Sequence, residues 1–278
     1  MADKRLTTLA LKEMKQKGEK IVMITSYDYP TAQLVDEAGV DTILVGDSLG
    51  NTILGYKDTL AVTVDDMIHH GKAVVRGSER ALVIIDMPFL SYQISPEEAL
   101  RNAGRIMQQT GAQAVKAEGG LEILDAVKKI TDAGIPLVGH LGLTPQSVNQ
   151  LGGYRVQGKE PQAAKKIIDD ALALEKAGAF MIVLECVPWQ LAKIITEKVV
   201  VPIIGIGAGK FCDGQVLVYH DVMGLYAGKS PKFSKQYVSA RDVMMKGTSD
   251  YISEVKQSFF PEEKHIFTMS EEVLAELE

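Results

Sequence analysis

The sequence has few cysteines, no excess of positive charge and no long apolar run. Two of its 278 residues are cysteines, Cys186 and Cys212, which excludes a disulfide framework and suits a reducing compartment. Thirty basic residues stand against 36 acidic ones, so a dedicated binder of nucleic-acid phosphates is not expected. The apolar runs fall short of the ~18 residues of a membrane span, and residues 1–20 lack a signal-peptide core. We therefore expect a cytoplasmic protein with no nucleic-acid or membrane partner.

Short apolar runs recur along the chain, each ending in a polar residue or glycine. The composition, 46% hydrophobic and 24% charged, is typical of a soluble globular protein. Because the runs are continuous rather than alternating, they predict parallel strands buried on both faces. The eight predicted strands are Ile21–Thr25, Thr42–Val45, Leu82–Ile85, Ala114–Lys116, Pro136–Val138, Phe180–Leu184, Val201–Ile204 and Val216–Val218.

Helical patterns lie between most of these runs. Ser95 followed by Pro96 and two glutamates is a helix start, and Gly111 marks the end of that helix. Eight strands alternating with helices predict an α/β fold, the (β/α)8 TIM barrel. We expect a single domain over residues 1–278, with the barrel at about 20–228, extra N-terminal helices and a helical tail at 229–278. An open doubly wound sheet is the alternative, but it lacks a G-x-G-x-x-G or Walker A sequence to support it.

The carboxyl ends of barrel strands meet at one mouth, and here they carry many ionisable residues. Clustered carboxylates raise each other's pKa, and a divalent cation is the simplest way to neutralise them. Ligands that are all carboxylate oxygens favour Mg²⁺ or Mn²⁺ over zinc. The polar residues at these ends are Asp28, Asp47, Ser48, Asp86, Lys116, Glu118, His140, Glu185, His220 and Asp221.

Simple structural roles compete with site roles at several of these positions. A single aspartate at a strand end is most often a helix cap or turn residue, and we assign Asp28 and Asp221 to that class. Asp47 and Asp86 are stronger candidates, because each directly follows an apolar run on adjacent strands. Their carboxylates would lie within reach of one ion.

The remaining residues leave alternatives open. Lys116 and Glu118 share a face of one strand, so a structural ion pair and a functional role are both consistent with the pattern. His140 is either a core histidine or a site residue. Glu185 ends a run that is otherwise buried, which favours a general base, whereas Cys186 beside it points the other way and is predicted to be a packed thiol. These residues predict a Mg²⁺-dependent barrel enzyme for a small anionic carbonyl compound such as an oxo acid.

Two glycine-rich segments follow predicted strands. The stretch 144–160 is long and polar and lies on the side where barrel loops build active sites. The glycines at 205, 207 and 209 follow the seventh strand, where barrels often bind phosphate.

Several motifs of two to eight residues are spread over nearly the whole chain. They are Val45-Gly46-Asp47-Ser48-Leu49-Gly50, Asp65-Asp66-Met67-Ile68-His69-His70, Asp86-Met87-Pro88-Phe89 with Ser91-Tyr92, Val115-Lys116-Ala117-Glu118-Gly119-Gly120, Gly139-His140-Leu141-Gly142-Leu143-Thr144-Pro145-Gln146, Gly152-Gly153-Tyr154, Gln157-Gly158, and Gly205-Ile206-Gly207-Ala208-Gly209 followed by Cys212-Asp213-Gly214-Gln215-Val216-Leu217-Val218. Together these motifs resemble the ketopantoate hydroxymethyltransferase family, and no motif position departs from the family pattern.

The resemblance implies a barrel of the phosphoenolpyruvate mutase/isocitrate lyase type with one Mg²⁺ per subunit. It implies that Asp47 and Asp86 hold the ion, with Glu118 in or near the coordination sphere. It implies that Glu185 is the proton acceptor. The residues implied to contact the oxo acid are Asp47, Ser48, Asp86 and Lys116, with His140 near the substrate.

The resemblance also implies the reaction. The family transfers a hydroxymethyl group from 5,10-methylenetetrahydrofolate to 3-methyl-2-oxobutanoate, giving ketopantoate (2-dehydropantoate) in pantothenate and coenzyme A biosynthesis. An enolate stabilised by Mg²⁺ would be the reacting species. The family is cytoplasmic and forms homo-oligomers, typically decamers.

Three other functions compete with this expectation. One is a Mg²⁺-dependent oxo-acid lyase or mutase of the same superfamily, although the Lys-Cys-Gly-His type motif of those relatives is absent here. Another is a Schiff-base aldolase that uses Lys116. The third is a non-catalytic barrel, which would need neither a dense carboxylate mouth nor a metal.

Overall fold

Eight parallel strands close into a barrel in the computed structural model, which describes residues 5–226 and 231–277. Each strand pairs with the next along the chain, and β8 pairs with β1. The predicted barrel is confirmed, and every predicted run contains or overlaps a strand. The strands are β1 Ile21–Thr25, β2 Thr42–Val45, β3 Leu82–Asp86, β4 Ala114–Glu118, β5 Leu137–Gly142, β6 Met181–Glu185, β7 Ile203–Ile206 and β8 Gly214–Leu217.

Helices alternate with these strands over most of the described chain. Short 3₁₀ turns at Leu121–Ile123, Pro145–Ser147 and Glu263–His265 complete the secondary structure. The helices of the described residues are α1 Thr8–Lys17, α2 Tyr29–Glu37, α3 Leu49–Thr52, α4 Val64–Gly77, α5 Pro96–Thr110, α6 Leu124–Asp132, α7 Val148–Leu151, α8 Pro161–Lys176, α9 Trp189–Lys198, α10 Tyr219–Met223, α11 Ala240–Lys256 and α12 Glu271–Ala275.

The predicted caps of α5 are confirmed at both ends. The Ser95 side chain accepts a hydrogen bond from the Glu98 N–H, and Pro96 is the first helical residue. Gly111 has φ +76°, a left-handed conformation that glycine adopts without a steric penalty. The next helical segment begins with the 3₁₀ turn Leu121–Ile123, and α6 starts at Leu124.

A cluster of buried apolar side chains joins the eight strands. Each strand contributes at least one residue to this cluster, and Leu11 of α1 belongs to it. Full burial of each such Leu, Ile or Met side chain contributes about 1.5–3 kcal/mol. The cluster comprises Leu11, Ile21, Met23, Leu44, Leu82, Ile84, Ala114, Val138, Met181, Val183, Ile204, Ile206 and Val216.

The chain divides into two compact units. The first consists of Met1–Tyr219 and Pro231–Ser234 and contains all eight strands; the second consists of His220–Ser230 and Lys235–Glu278. No residue of α11, in the second unit, is buried. The predicted boundary near 228–229 lies outside the described residues, and the single domain stays a prediction. No helix in the described residues is both long and apolar enough to cross a membrane.

Candidate active site

The strand register brings the predicted site residues of β3, β4 and β5 side by side. Asp86 on β3 is level with Lys116 on β4, and Glu118 on β4 is level with His140 on β5. Glu185, the last residue of β6, is level with the final residue of β5. Because each residue ends or nearly ends its strand, these side chains gather at the carboxyl end of the barrel.

Lys116 forms a buried ion pair with Asp86. The Lys116 Nζ lies 2.9 Å from Asp86 Oδ1, and both side chains are 4% exposed. The other oxygen, Asp86 Oδ2, accepts a hydrogen bond from the Asp47 backbone N–H at 3.0 Å. Lys116 therefore pairs with Asp86, and not with Glu118, the partner considered from the sequence.

His140 lies between two carboxylates and the lysine. Its Nδ1 is 3.3 Å from Glu118 Oε1 and also 3.3 Å from Lys116 Nζ. Its Nε2 is 3.2 Å from Glu185 Oε2, without hydrogen-bond geometry. A protonated Nδ1 can donate to Glu118, whereas an unprotonated Nδ1 can accept from Lys116. The histidine is thus buried among the other predicted site residues.

Burial and the charges of neighbouring groups shift the pKa values of the ionisable side chains in this cluster. Burial raises the pKa of Asp47 well above its usual range, and the charges of Asp86 and Glu118 add to the effect. Burial also raises the pKa of Asp86, although Lys116 opposes this. For Lys116, burial lowers the pKa, but the three carboxylates more than compensate and the pKa is raised. Burial likewise opposes ionisation of Glu118, but its contacts with His140 and Lys116 leave its pKa lowered.

The charged form of His140 is favoured by its surroundings. Burial and Lys116 lower its pKa, but the neighbouring carboxylates of Glu118 and Glu185 raise it to about 9. A pKa above the unfolded value of about 6.5 stabilises the fold fully below pH ~6.5. This stabilisation is lost as the pH rises through about 9.

We therefore expect the metal-free protein to lose stability between pH 6.5 and 9 through His140. The difference in unfolding free energy between wild type and His140→Gln should shrink over this interval by on the order of 3 kcal/mol, since each pKa unit is worth 1.36 kcal/mol. Urea denaturation in EDTA at several pH values measures it. His69→Gln, on an exposed helix position, is the control. A difference that stays constant with pH would contradict the expectation.

Ser48 is held at the start of α3 by a tyrosine that the sequence did not single out. The Tyr27 and Ser48 hydroxyls lie 2.8 Å apart. Burial raises the pKa of Tyr27 to about 12, so the phenol keeps its proton. At Gly46, a Cβ atom would lie 2.8 Å from Ser48 Oγ and 3.5 Å from Asp86 Oδ2, which explains the glycine beside the site.

Gln146 and Tyr92 are further residues of the mouth that the sequence reasoning missed as site residues. The Gln146 Nε2 donates to Asp47 Oδ2 at 2.8 Å, and its backbone N–H donates to Glu118 Oε2 at 2.9 Å. The Tyr92 hydroxyl lies 2.7 Å from Gln146 Oε1. Both residues stand inside motifs quoted for the family resemblance, and that was the signal available in the sequence.

Asp28 has the helix-capping role predicted for it, because it accepts the Thr31 N–H at 2.8 Å at the start of α2. Asp221 lies within α10 instead of at a cap or turn. Cys186 is partly buried, and burial raises the pKa of its thiol to about 11, which fits a packed thiol better than a nucleophile.

Carboxylates dominate the mouth, but most of their oxygens are already engaged. Among the described residues, no group of three or more His, Cys, Asp or Glu side chains is arranged as a metal site. Asp47 and Asp86 form a neighbouring pair, and Glu118 is turned toward His140 and the Gln146 backbone.

Comparison with known proteins identifies the family. The family model for ketopantoate hydroxymethyltransferase matches residues 5–263. The chain belongs to the ketopantoate hydroxymethyltransferase family. It is 58% identical over 270 residues to the 3-methyl-2-oxobutanoate hydroxymethyltransferase of Carboxydothermus hydrogenoformans, covering 97% of this chain and 98% of that protein. It is 57% identical over 273 residues to the enzyme of the same name from Syntrophomonas wolfei, covering 98% and 99%. As a member of this transferase family, the chain is an enzyme.

Solved structures with the same fold belong to more distant proteins. Phosphoenolpyruvate phosphomutase from Streptomyces platensis superposes with a TM-score of 0.62 at 12% identity, covering 95% of this chain and 92% of that chain. A 2,3-dimethylmalate lyase of the PEP mutase/isocitrate lyase superfamily superposes with a TM-score of 0.57 at 14% identity, covering 97% and 93%. The fold expected for a ketopantoate hydroxymethyltransferase is thereby confirmed.

Proposed function

We propose that this chain transfers a hydroxymethyl group from 5,10-methylenetetrahydrofolate to 3-methyl-2-oxobutanoate. The products would be ketopantoate and tetrahydrofolate, formed within pantothenate and coenzyme A biosynthesis. The new bond joins C3 of the oxo acid to the one-carbon unit, and water supplies the hydroxyl oxygen. The names of relatives at 54–58% identity support the oxo acid and its product. The folate donor rests on the family resemblance.

The buried Asp47, Asp86 and Lys116 are the observation that carries this proposal. Two carboxylates with raised pKa values share one lysine, so a cation is needed to balance both of them when they are ionised. A 2-oxo acid offers a keto oxygen and a carboxylate that can chelate such a cation. The lysine adds a fixed positive charge for the negative charge that develops on the keto oxygen.

The residues of this mouth fit a magnesium ion. Asp86 Oδ1 is fully buried and receives no hydrogen bond, although Lys116 lies within ion-pair distance. Asp47 and Asp86 would hold the ion, with Glu118 nearby, and oxygen donors of this kind are those that Mg²⁺ prefers. Phosphonopyruvate hydrolase, which has the same fold (TM-score 0.60, 11% identity), is known in a complex with oxalate and Mg²⁺. When bound, the ion would supply Lewis-acid stabilisation of negative charge on the substrate oxygens.

Glu185 is the proposed base, which takes the proton from C3. Its side chain is 14% exposed, so it remains accessible from the mouth while Glu118 is buried. His140, 3.2 Å from Glu185 Oε2, would hold that carboxylate in place. Ser48 would contact the oxo acid beside Asp47. Lys116 stays protonated, since its pKa is raised, and a protonated amine is a poor Schiff-base nucleophile.

Proton NMR in D₂O tests the proposed reaction directly. The sample contains 3-methyl-2-oxobutanoate, the protein, Mg²⁺ and 5,10-methylenetetrahydrofolate, with an EDTA control. We expect ketopantoate signals only when the metal is present. Loss of the C3 proton without product would retain proton abstraction but reject the folate donor. No change in either signal would reject the proposal in favour of a lyase, a mutase or a non-catalytic barrel.

Loss of either proposed metal ligand should weaken Mg²⁺ binding. Asp47→Ala and Asp86→Ala each remove an anionic oxygen donor, and we expect at least about a tenfold rise in the Mg²⁺ dissociation constant. Calorimetric titration of the substrate-free protein measures this. Asp65→Ala is the control, because Asp65 is an exposed aspartate that pairs with Arg105. Unchanged affinity in both site variants would reject this pair as ligands.

The cellular compartment and the subunit assembly are proposed from the family resemblance. We propose a cytoplasmic homo-oligomer, a decamer by analogy with the family, with one Mg²⁺ per subunit and only small-molecule substrates. Exposed apolar side chains on α11, such as Val243, Met244 and Tyr251, support association between copies.

A further inference from the structure

Gln146 is a buried polar residue of the mouth to which the proposed reaction assigns no role. It lies in the 3₁₀ turn Pro145–Ser147, which follows β5, and it is 5% exposed. From there it contacts the loops that follow β2 and β3 and the last residue of β4. We propose that Gln146 is a positioning residue that fixes the Asp47 carboxylate, and that Tyr92 fixes the orientation of the Gln146 amide. This inference deepens the proposed function and rests on its metal site.

The two ends of the Gln146 amide have chemically different partners. Its Nε2 donates to Asp47 Oδ2 at 2.8 Å and to the Met87 carbonyl at 3.0 Å. The Met87 carbonyl cannot donate, and neither can an ionised Asp47, so the NH₂ end of the amide must face them. A rotation of the amide by 180° would set its oxygen against two acceptor oxygens.

Tyr92 fixes the opposite end of the amide. Its hydroxyl oxygen lies 2.7 Å from Gln146 Oε1 and 3.0 Å from the Glu118 carbonyl, and it accepts the Glu118 N–H at 3.0 Å. A phenol has one proton, and the shorter contact directs it to the Gln146 oxygen. The backbone of β4 thus holds Tyr92, which in turn holds Gln146.

The backbone of Gln146 acts on a second carboxylate. Its N–H donates to Glu118 Oε2 at 2.9 Å, while Glu118 Oε1 faces His140. One residue therefore sets the rotation of Asp47 through its side chain and that of Glu118 through its main chain. Because a carboxylate is planar, fixing one oxygen of Asp47 also fixes the direction in which the other can meet a cation.

Calorimetric titration with Mg²⁺ on the substrate-free protein tests this role. Gln146→Met keeps the length of the side chain but removes both hydrogen-bonding ends. We expect the Mg²⁺ dissociation constant to rise about 10–100-fold, the usual effect of losing a partner that orients a ligand. Tyr92→Phe should raise it in the same direction by a smaller factor. Gln150→Met, an exposed position on α7 just after this turn, is the matched control and should bind Mg²⁺ like wild type.

The double variant separates positioning from general stability. If Tyr92 acts through Gln146, Tyr92→Phe will change the Mg²⁺ affinity of the Gln146→Met protein by less than twofold. Independent structural effects would instead multiply, and that result would overturn the proposed chain of contacts. Thermal unfolding of each variant shows whether it is folded. If Gln146→Met does not fold, the Mg²⁺ affinity of Tyr92→Phe alone tests the positioning role, and wild-type affinity in that variant would overturn it.

The outcomes also separate this inference from the proposed reaction. Wild-type affinity in Gln146→Met, with ketopantoate formed normally, would overturn the positioning role alone. If Gln146→Met binds Mg²⁺ more weakly and the wild-type protein itself makes no ketopantoate, the positioning role stands and the proposed reaction is rejected. A wild-type protein that binds no Mg²⁺ would overturn the positioning role, and product formation would then judge the reaction by itself.

Discussion

Glu185→Gln should abolish most turnover while leaving substrate binding nearly intact. The amide matches the carboxylate in shape but cannot accept a proton, so the step that removes the C3 proton loses its base. General-base catalysis contributes roughly 10²–10⁴-fold, and we expect kcat to fall by that factor with KM changed little. The exchange of the C3 proton of 3-methyl-2-oxobutanoate for deuterium should slow in parallel.

Steady-state kinetics and NMR exchange rates measure the two effects on the same protein. Glu197→Gln is the matched control, since Glu197 is an exposed glutamate of α9 whose side chain is 63% exposed. It should behave like wild type. If kcat and the exchange rate of Glu185→Gln both equal those of wild type, Glu185 is not the base.

Lys116→Met should produce the largest loss of stability among single substitutions in the mouth. Methionine keeps an unbranched side chain of similar reach but removes the positive charge beside Asp86. Removal of one partner from a buried ion pair typically costs about 3–5 kcal/mol, because the other charge is left buried without compensation. The carboxylates of Asp47 and Glu118 also interact with the Lys116 charge, so they would lose its compensation together with Asp86.

Urea denaturation at neutral pH in the presence of EDTA measures this loss. The matched control is Lys128→Met, whose ion pair with Asp132 has the same 2.8–2.9 Å separation but side chains that are 65% and 61% exposed. Exposed pairs of this kind contribute about 0–1 kcal/mol. An equal loss of unfolding free energy in the two variants would show that burial does not increase the contribution of the Lys116–Asp86 pair to stability.

The sequence predicted the fold and the strand-end residues because both depend on local pattern. Continuous apolar runs mark the strands, and the first polar residue after each run lies at the mouth of any parallel barrel. This rule is sufficient to place Asp47 and Asp86. The prediction that Asp28 caps a helix is confirmed, and it too rests on local sequence. The roles of the mouth residues in binding and catalysis stay predictions.

The contacts between these residues could not be predicted in the same way. Lys116 and Glu118 share a strand face, so their spacing suggested a pair, but the register sets Lys116 level with Asp86 and Glu118 level with His140. Register depends on how the whole barrel closes, which no single segment encodes.

Gln146 was missed for a different physical reason. It lies in a polar, glycine-rich loop, where a glutamine is ordinarily exposed. Nothing local signals that the 3₁₀ turn buries it against the loops after β2 and β3 and the end of β4. Tyr92 was missed because a tyrosine in a loop looks like a packing residue until the partner of its hydroxyl is known.

The closure of the sheet also governs how copies of this protein can meet. An open sheet presents the unpaired N–H and C=O groups of its outer strands, which invite another chain to add a strand. In the described residues every strand of the barrel has a neighbour on both sides, so no such edge is offered. Any association of copies would therefore use side-chain surfaces instead of the edges of the barrel sheet, and shape and burial would set its specificity.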